Sequence, residues 1–463
     1  MGTEIKKKQQ KPELLIPASS LEVLKTAVVF GADAVYIGGE AFGLRAKARN
    51  FSIEEMARGI LFAHARGVKV YVTANILAHN ADLEGASQYF AELRDMKPEP
   101  CDALIISDPG MFLLAKRIWP EVEIHISTQA NNTNYETYRF WWELGAKRVV
   151  SARELSLAEL AQIRAQIPEQ MEIESFVHGS MCISYSGRCL LSNFFTGRDA
   201  NQGSCTHPCR WKYAVVEETR PGEYMPVYEN ERGTFLFNSK DLCMIEHIPE
   251  LVDTGIDSLK IEGRMKTALY VATVARTYRK AIDDYFISGE TYQAHMEWYK
   301  AEIGKCTYRQ FTTGFYFGKP DENAQIYDNS TYVSEYTYLG IVEEIWKKPG
   351  WPWERDEAGW RHRMTQQKDQ GQQGDLPQYG DLAQHGEQVQ SVCTLARIEQ
   401  RNKFAIGDLI EIMKPDGRNL EVRVKAMYTA EGETVENCPH PRQVLWLDVG
   451  MEVEQFDLLR VKV

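Results

Sequence analysis

Long apolar runs are missing from this 463-residue chain, and no stretch is long enough to cross a bilayer as a helix. The first eleven residues are polar and rich in lysine, without the apolar core of a secretory signal, so we expect a cytoplasmic protein with no membrane partner. Basic charge is scarce too, since the formal net charge is −12. That balance excludes a protein that coats nucleic acid through its overall charge, but leaves room for a local basic patch that binds a structured RNA.

Motifs of the common hydrolases and nucleotide-binding folds are also absent. The chain contains no His-Glu-x-x-His zinc motif and no Gly-x-Ser-x-Gly nucleophile elbow. No glycine-rich phosphate loop follows the first predicted strand, which argues against a dinucleotide-binding open sheet. A cysteine protease needs a reactive thiolate beside a histidine base, and Cys182 with His178 is the pair that the sequence offers for this chemistry.

Short runs rich in valine and isoleucine alternate with longer amphipathic segments in the first part of the chain. Eight of these runs are typical of buried parallel strands: residues 13–18, 34–39, 68–75, 103–107, 124–128, 148–151, 172–177 and 258–262. Several segments between them begin with serine or end before a glycine, as helices do; the clearest are 20–30, 52–65, 133–144 and 155–166. The pattern predicts a (β/α)8 TIM-like barrel, with an open doubly wound sheet as the competing interpretation.

Three regions follow from this pattern. Residues 1–290 are predicted to form the barrel, residues 291–331 to connect it onward, and residues 332–463 to form a small antiparallel β domain. Short alternating strands are predicted in that domain at 338–345, 409–413, 421–425 and 444–448, and they could close into a second barrel. A segment rich in glutamine and glycine, residues 347–390, is predicted to be a flexible insertion or, given its tryptophans, a binding arm.

In a barrel of this kind the active site lies at the carboxyl ends of the strands. That rule selects as mouth residues Gly38, Gly39, Asn75, Asp108, Gln129, Arg153, His178 and Glu262. Two basic stretches are candidates for binding an anion or RNA, and they comprise Arg188, Arg198, Arg210 and Lys212 in one and Arg264, Lys266, Arg276, Arg279 and Lys280 in the other. Ordinary solvated charge is the competing interpretation for both.

Five of the nine cysteines lie between Cys182 and Cys243, in a long insertion after the seventh predicted strand. Such clustering in a reducing compartment favours metal binding over disulfides or buried apolar thiols. The wide spacing favours an iron–sulfur cluster over zinc, because structural zinc sites use closely spaced pairs. We predict that the cluster is held by Cys182, Cys189, Cys205 and Cys243, with Cys209 as the alternative to Cys205.

Residues 174–192 resemble the signature of peptidase family U32, the collagenase-like peptidases. They follow the pattern Glu-x-Phe-x-x-Gly-Ser-Met-Cys-x4-Gly-x-Cys-x-Leu-Ser, and the segments at 12–14, 36–39, 260–264 and 313–316 are similar to the same family. The family name implies proteolysis. The resemblance also implies members that hydroxylate RNA bases or quinone precursors without molecular oxygen and carry a 4Fe–4S cluster on four cysteines.

Overall length and segment order look closest to the branch that makes 5-hydroxyuridine at the tRNA wobble position, to which prephenate is linked as a required metabolite. The resemblance therefore implies a tRNA uridine hydroxylase whose partners are tRNA, a small carboxylate metabolite and an electron donor. We expect the substrate to be positioned by His178, Arg188, Glu262 and Arg264. Tyr185 or Trp211 is expected to stack on a splayed anticodon base. A peptidase and a non-catalytic iron–sulfur or zinc RNA-binding factor are the alternatives, and the insertion 347–390 departs from the branch.

Overall fold

The computed structural model describes residues 10–40, 42, 50–182, 184–211, 214–216, 224–226, 240–319, 333–347 and 394–463. The chain divides into two compact units, the first reaching to Glu335 and the second starting at Tyr336. The predicted insertion 347–390 lies outside the described residues except for Lys347, and Lys212 lies outside them as well.

Eight parallel strands close into a barrel in the first unit. They are β1 Glu13–Pro17, β2 Ala34–Gly38, β3 Lys69–Ala74, β4 Ala103–Ile106, β5 Glu123–Ile126, β6 Arg148–Val150, β7 Glu172–Ser180 and, after three short strands given below, β11 Ser258–Ile261. The ring closes because β11 pairs in parallel with both β7 and β1. This arrangement confirms the predicted (β/α)8 barrel and excludes the open doubly wound sheet.

Helices follow most barrel strands. They are α1 Leu21–Val29, α2 Ile53–His64, α3 Asn80–Arg94, α4 Pro109–Ile118, α5 Tyr135–Glu143 and α6 Leu157–Gln166. Ser52 caps α2, since its hydroxyl accepts a hydrogen bond from the Glu55 N–H and the Glu55 carboxylate accepts one from the Ser52 N–H. Gly145 follows α5 with a φ of 91°, which lets the chain turn back to the sheet. None of the described helices has both the length and the hydropathy of a membrane span.

A long insertion separates β7 from β11. It contains α7 Leu191–Thr196, two 3-10 turns at Ala200–Gln202 and Pro208–Arg210, and the hairpin of β8 Ala214–Val216 with β9 Tyr224–Pro226, followed by β10 Asp241–Cys243 and α8 Ile248–Asp253. β10 runs antiparallel to β7 and places Cys243 opposite His178. After the barrel come α9 Ala268–Ile287, α10 Gly289–Ala294, α11 Met296–Ile303 and β12 Phe311–Thr312, which pairs with β10.

The second unit is a seven-stranded antiparallel sheet. Its strands are β13 Tyr336–Trp346, β14 Leu395–Glu399, β15 Leu409–Met413, β16 Asn419–Arg423, β17 Ala426–Thr429, β18 Val444–Asp448 and β19 Leu458–Lys462. The spatial order is β16-β15-β19-β13-β14-β18-β17, so the long β13 lies at the centre. Within the described residues the edge strands β16 and β17 do not pair with each other. The sheet is therefore open, and the prediction that it could close into a barrel is wrong.

Candidate active site at the barrel mouth

A cavity of about 150 Å³ opens at the carboxyl ends of the barrel strands. Its walls combine residues from the strands β2, β3, β4, β7 and β11 and from the loop after β5 with residues from the start of the long insertion. Asn75, Gln129, Arg153 and Glu262, which the barrel rule selects, all line this cavity. The mouth of the barrel is thus a site shared by the sheet and the cysteine-bearing segment 181–209.

Four cysteines line the cavity. They are Cys182, Cys189, Cys205 and Cys209, and all four belong to segment 181–209. Three of these, Cys182, Cys189 and Cys205, are cluster ligands predicted from the sequence, and Cys209 is the predicted alternative to Cys205. The structure brings both Cys205 and Cys209 to the cavity wall.

Hydrogen bonds attach the cysteine segment to the barrel loops. The Asn131 side-chain amide donates to the Ser186 carbonyl at 2.6 Å, and the Leu77 N–H donates to the Asn201 carbonyl at 3.2 Å. Gly187 has a φ of 73°, and a Cβ there would lie 2.9 Å from the Gln129 carbonyl oxygen. Only glycine fits this left-handed position so close to the barrel, which explains the glycine between Cys182 and Cys189.

Cys205 and Cys209 are joined by a tight turn. His207 takes up a left-handed conformation with a φ of 57°, and Pro208 starts the 3-10 turn that ends at Arg210. The His207 N–H donates to the Cys205 sulfur at 3.4 Å. Backbone N–H donors to cysteine sulfur are among the features that tune iron–sulfur clusters.

Four cysteines on one cavity wall are a donor set that an iron–sulfur cluster uses. In the part of the chain that the structure describes, no three His, Cys, Asp or Glu side chains stand close enough to share one metal ion. A tetrahedral zinc site needs four ligands at bonding distance from one atom. Iron–sulfur clusters instead bind cysteine thiolates at several irons, so their ligands stand farther apart around a larger centre. Four thiols around one cavity fit such a cluster.

Cys243 and His178 do not line the cavity. They are paired across β10 and β7, and the Cys243 sulfur is 3.9 Å from the hydroxyl of Tyr278 on α9. The His178 ring packs against Tyr270, Tyr278 and Phe311, and neither residue lines the cavity. Burial raises the pKa of the Cys243 thiol to about 12 and lowers the pKa of His178 to about 3. Both side chains are part of the packing between the barrel and α9.

Glu262 and Arg264 follow β11 and both line the cavity. Arg264 is buried, with Nη1 donating to the Thr73 hydroxyl at 2.9 Å and Nη2 donating to the Asn50 side-chain oxygen at 3.4 Å. Its guanidinium lies over Gly38, where an added Cβ would come within 2.3 Å of Nη2. Arg188, the remaining residue expected to position substrate, is exposed and is not part of the cavity wall.

Lys260 is a cavity residue that the sequence did not single out. Its Nζ donates to Glu174 Oε1 at 2.6 Å and lies 4.5 Å from the centre of the Tyr36 ring. Burial lowers the pKa of Lys260, and the neighbouring Glu174 carboxylate opposes that effect. A lysine inside a buried strand is the signal that could have identified it, since such a charge needs a partner.

The cavity wall is cationic. Arg153, Lys260 and Arg264 all line it, whereas Glu262 is the one carboxylate among the described lining residues. The Arg153 guanidinium lies 3.9 Å from the centre of the Phe176 ring and donates to the Ser180 carbonyl at 2.7 Å. The wall therefore combines positive charge with aromatic faces, which suits a planar or anionic ligand.

Other sequence-selected residues have structural roles. Asp108 caps α4 by accepting a hydrogen bond from the Met111 N–H at 2.9 Å. In the second basic stretch Arg276 is buried against Glu302, Arg279 binds Asp33 and Asp283, and Lys280 binds Asp284. Arg276, Arg279 and Lys280 are therefore taken up by ion pairs and do not present a basic surface for RNA.

Comparison with known proteins places the chain in a family. Residues 19–326 match the model described as peptidase family U32, and residues 385–460 match the C-terminal domain of the same family. The chain belongs to peptidase family U32. Both the barrel and the antiparallel unit are accounted for by family U32, as the resemblance of residues 174–192 implied.

The chain is similar to several proteins with named activities. The tRNA hydroxylation protein P1 of Bacillus subtilis is 37% identical over 97% of this chain and 95% of its own length. The tRNA hydroxylation protein P of Escherichia coli is 36% identical over 96% of this chain and 95% of its own length. A 23S rRNA 5-hydroxycytidine synthase of Escherichia coli is 37% identical over 58% of this chain and 39% of its own length.

Proposed function

We propose that this chain is a tRNA hydroxylase that converts the wobble uridine to 5-hydroxyuridine without molecular oxygen and depends on a 4Fe–4S cluster. The named activities of its relatives support the reaction class, since two are tRNA hydroxylation proteins and one makes 5-hydroxycytidine in rRNA. The observation that carries the proposal is the mouth cavity. Four cysteines and three cationic side chains line it, in a chain similar to tRNA hydroxylation proteins over nearly its whole length.

The proposed cluster ligands are Cys182, Cys189, Cys205 and Cys209. Cys243 is the weaker candidate, because its side chain lies against Tyr278 on α9 and does not line the cavity. When bound, such a cluster supplies electron transfer beside the substrate. Hydroxylation of the uracil C5–H removes two electrons from the base, so the co-substrate that gives the oxygen must also be the oxidant. The electron donor among the partners returns the cluster to its starting state.

A small carboxylate is the proposed co-substrate, and prephenate is the candidate that the family resemblance implies. Arg264 and Arg153 can form charge-assisted hydrogen bonds to a carboxylate, and Lys260 adds positive charge to the cavity wall. Glu262 lies on the same wall and is the candidate for a hydrogen bond to a uracil N–H or to a metabolite hydroxyl.

The geometry gives no support to a cysteine peptidase built on Cys182 and His178. Cys182 lines the mouth cavity, whereas His178 is buried among Tyr270, Tyr278 and Phe311. A general base must reach the proton that it removes, directly or through one water. The pKa of His178, lowered to about 3 by burial, further opposes a role in activating a thiol at neutral pH.

The test is complementation under anaerobic conditions. The gene is expressed in an Escherichia coli strain lacking its own tRNA hydroxylation protein P, and nucleosides of total tRNA are quantified by mass spectrometry. Growth without oxygen removes any hydroxylation that uses molecular oxygen. We expect 5-hydroxyuridine and its derivatives to return to the tRNA. Unchanged tRNA in cells that contain the folded, iron-loaded protein would overturn the proposed function.

A further inference from the structure

Five large apolar side chains are exposed on residues 185–211, which comprise most of the cysteine-bearing segment and the two residues after it. They define the aromatic rim, which comprises Tyr185, Leu190, Phe194, Phe195 and Trp211. Phe194 is the most exposed of them, with 82% of its surface accessible. Such a group of exposed aromatic residues on a folded protein marks a surface that binds a partner.

The exposure follows from the way α7 is anchored. Its polar face points inward, where the buried Ser192 hydroxyl lies 2.9 Å from the Thr206 hydroxyl and accepts from the Thr206 N–H at 3.0 Å. The Thr196 hydroxyl also lies 3.2 Å from the Thr206 hydroxyl. Because these polar contacts occupy the inner face, Phe194 and Phe195 are held outward. This is the reverse of the usual amphipathic helix.

The rim is continuous with the mouth cavity. Tyr185 lines the cavity and is also 47% exposed, and Leu190 directly follows the cavity residue Cys189. The Phe195 ring contacts both Phe194 and Trp211, with centroid distances of 5.2 and 6.2 Å. The two contacts are edge-on and tilted, so the three rings are neighbours that are not stacked on one another.

Local charge selects the kind of partner. Residues 182–211 contain three arginines and a single carboxylate, Asp199, in a chain whose net charge is −12. Arg188 and Arg198 are exposed, and neither forms an ion pair with a carboxylate among the described residues. Aromatic rings beside unpaired guanidinium groups are the combination that binds unstacked bases and their phosphates.

We propose that the aromatic rim is a docking surface for single-stranded RNA, on which unpaired bases next to the target uridine stack while the target enters the cavity. The inference rests on the proposed function, and it adds to that function the protein surface that binds the unpaired loop around the target uridine. Phe194 and Phe195 supply the stacking faces, and Arg188 and Arg198 contact the phosphates.

The test measures RNA binding by the full-length, anaerobically purified protein, so it needs no turnover. A fluorescein-labelled RNA hairpin with an unpaired loop is compared with the same RNA fully paired, by fluorescence anisotropy. The Phe194→Ala/Phe195→Ala variant is expected to bind the hairpin at least about 10-fold more weakly and the duplex unchanged. The Arg188→Gln/Arg198→Gln variant is expected to lose affinity for both and to show a smaller salt dependence.

Two variants complete the design. Phe140→Ala removes an exposed ring from α5, outside the rim, and is expected to bind both RNAs as the unsubstituted protein does. Phe194→Trp/Phe195→Trp keeps the stacking faces and is expected to restore hairpin binding. Equal hairpin affinity of the double alanine variant and the unsubstituted protein would overturn the proposal, as would a loss of self-association in that variant with RNA binding unchanged.

The outcome is separable from that of the proposed function. If the protein binds the loop through the rim but 5-hydroxyuridine does not return to tRNA, the docking surface is supported and the proposed reaction is refuted. If the unsubstituted protein restores 5-hydroxyuridine but the Phe194→Ala/Phe195→Ala variant binds the hairpin normally, the reaction is supported and the docking surface is refuted.

Discussion

Lys260 and Glu174 form an ion pair of 2.6 Å at the floor of the mouth cavity, with both side chains buried. Glu174 also accepts a hydrogen bond from Arg148 at 3.1 Å, and Arg148 in turn binds Glu13 and Glu172. The barrel interior thus contains a connected set of charges that extends from the amino ends of the strands to the mouth. Each member is tolerated inside the protein because its neighbours compensate it.

Glu174→Gln is expected to destabilise the fold. The substitution leaves Lys260 and Arg148 in a buried site with less negative charge, and breaking such a pair costs about 3 kcal/mol or more. Chemical denaturation measures the change in unfolding free energy. Glu297→Gln is the control, because Glu297 is 93% exposed and its contact with Lys300 is 4.0 Å, so no change is expected. A loss below about 1 kcal/mol for Glu174→Gln would show that the buried charges are not coupled in this way.

Gly38→Ala is expected to impair activity more than stability. The added methyl would lie 2.3 Å from Arg264 Nη2, so the guanidinium must leave its place on the cavity wall. Displacing a positioning group by about 1 Å lowers turnover by about 100-fold. The 5-hydroxyuridine content of tRNA measures the activity, and the melting temperature of the protein measures its stability. Gly289→Ala is the matched control, since an added Cβ there meets nothing within 4 Å. Full activity of Gly38→Ala would argue against Arg264 as a substrate-positioning residue.

His178→Leu tests whether His178 is structural. Burial lowers the pKa of His178 from 6.5 to about 3, so the folded state keeps the ring neutral while the unfolded chain takes up a proton. Its contribution to stability is therefore present above pH 6.5 and is lost progressively as the pH falls from about 6.5 towards 3. Urea unfolding across that range should show a shallower pH dependence for the leucine variant than for the unsubstituted protein. Identical slopes, or loss of the iron in His178→Leu, would contradict the packing role.

Much of the fold follows from local patterns. The eight barrel strands were predictable because each is a short apolar run bounded by turn residues, and β15 and β18 were predicted with their observed bounds because both are short runs of mostly apolar residues. The helix α3 was not predicted, because Asn80–Arg94 is mostly polar and only four of its fifteen residues are buried. β19 was not predicted either. It lies at the end of the chain, and its partners β13 and β15 are far away in sequence.

The site was less predictable, because it depends on long-range strand pairing. Spacing alone favoured Cys243, which precedes the last barrel strand and could have turned to the mouth. The antiparallel register of β10 on β7 places its sulfur near the Tyr278 hydroxyl, a contact that spacing cannot show and the ground on which Cys209 is proposed in its stead. Lys260 was missed because it lies inside the predicted strand 258–262, and the sequence does not show that its side chain lines the mouth cavity. The phenylalanines of α7 were missed because the polar contacts that hold them outward involve Thr206, fourteen residues after Ser192.

The most direct test of the central claim compares two cysteine variants purified without oxygen. Cys209→Ser and Cys243→Ser are assayed for iron and acid-labile sulfide per chain, with Cys438→Ser in the second unit as the control for cysteine loss. Our account predicts that Cys209→Ser loses the brown colour and the iron, whereas Cys243→Ser and Cys438→Ser retain both. Full iron in Cys209→Ser together with its loss from Cys243→Ser would contradict the assignment of the cluster to the four cysteines of the mouth cavity.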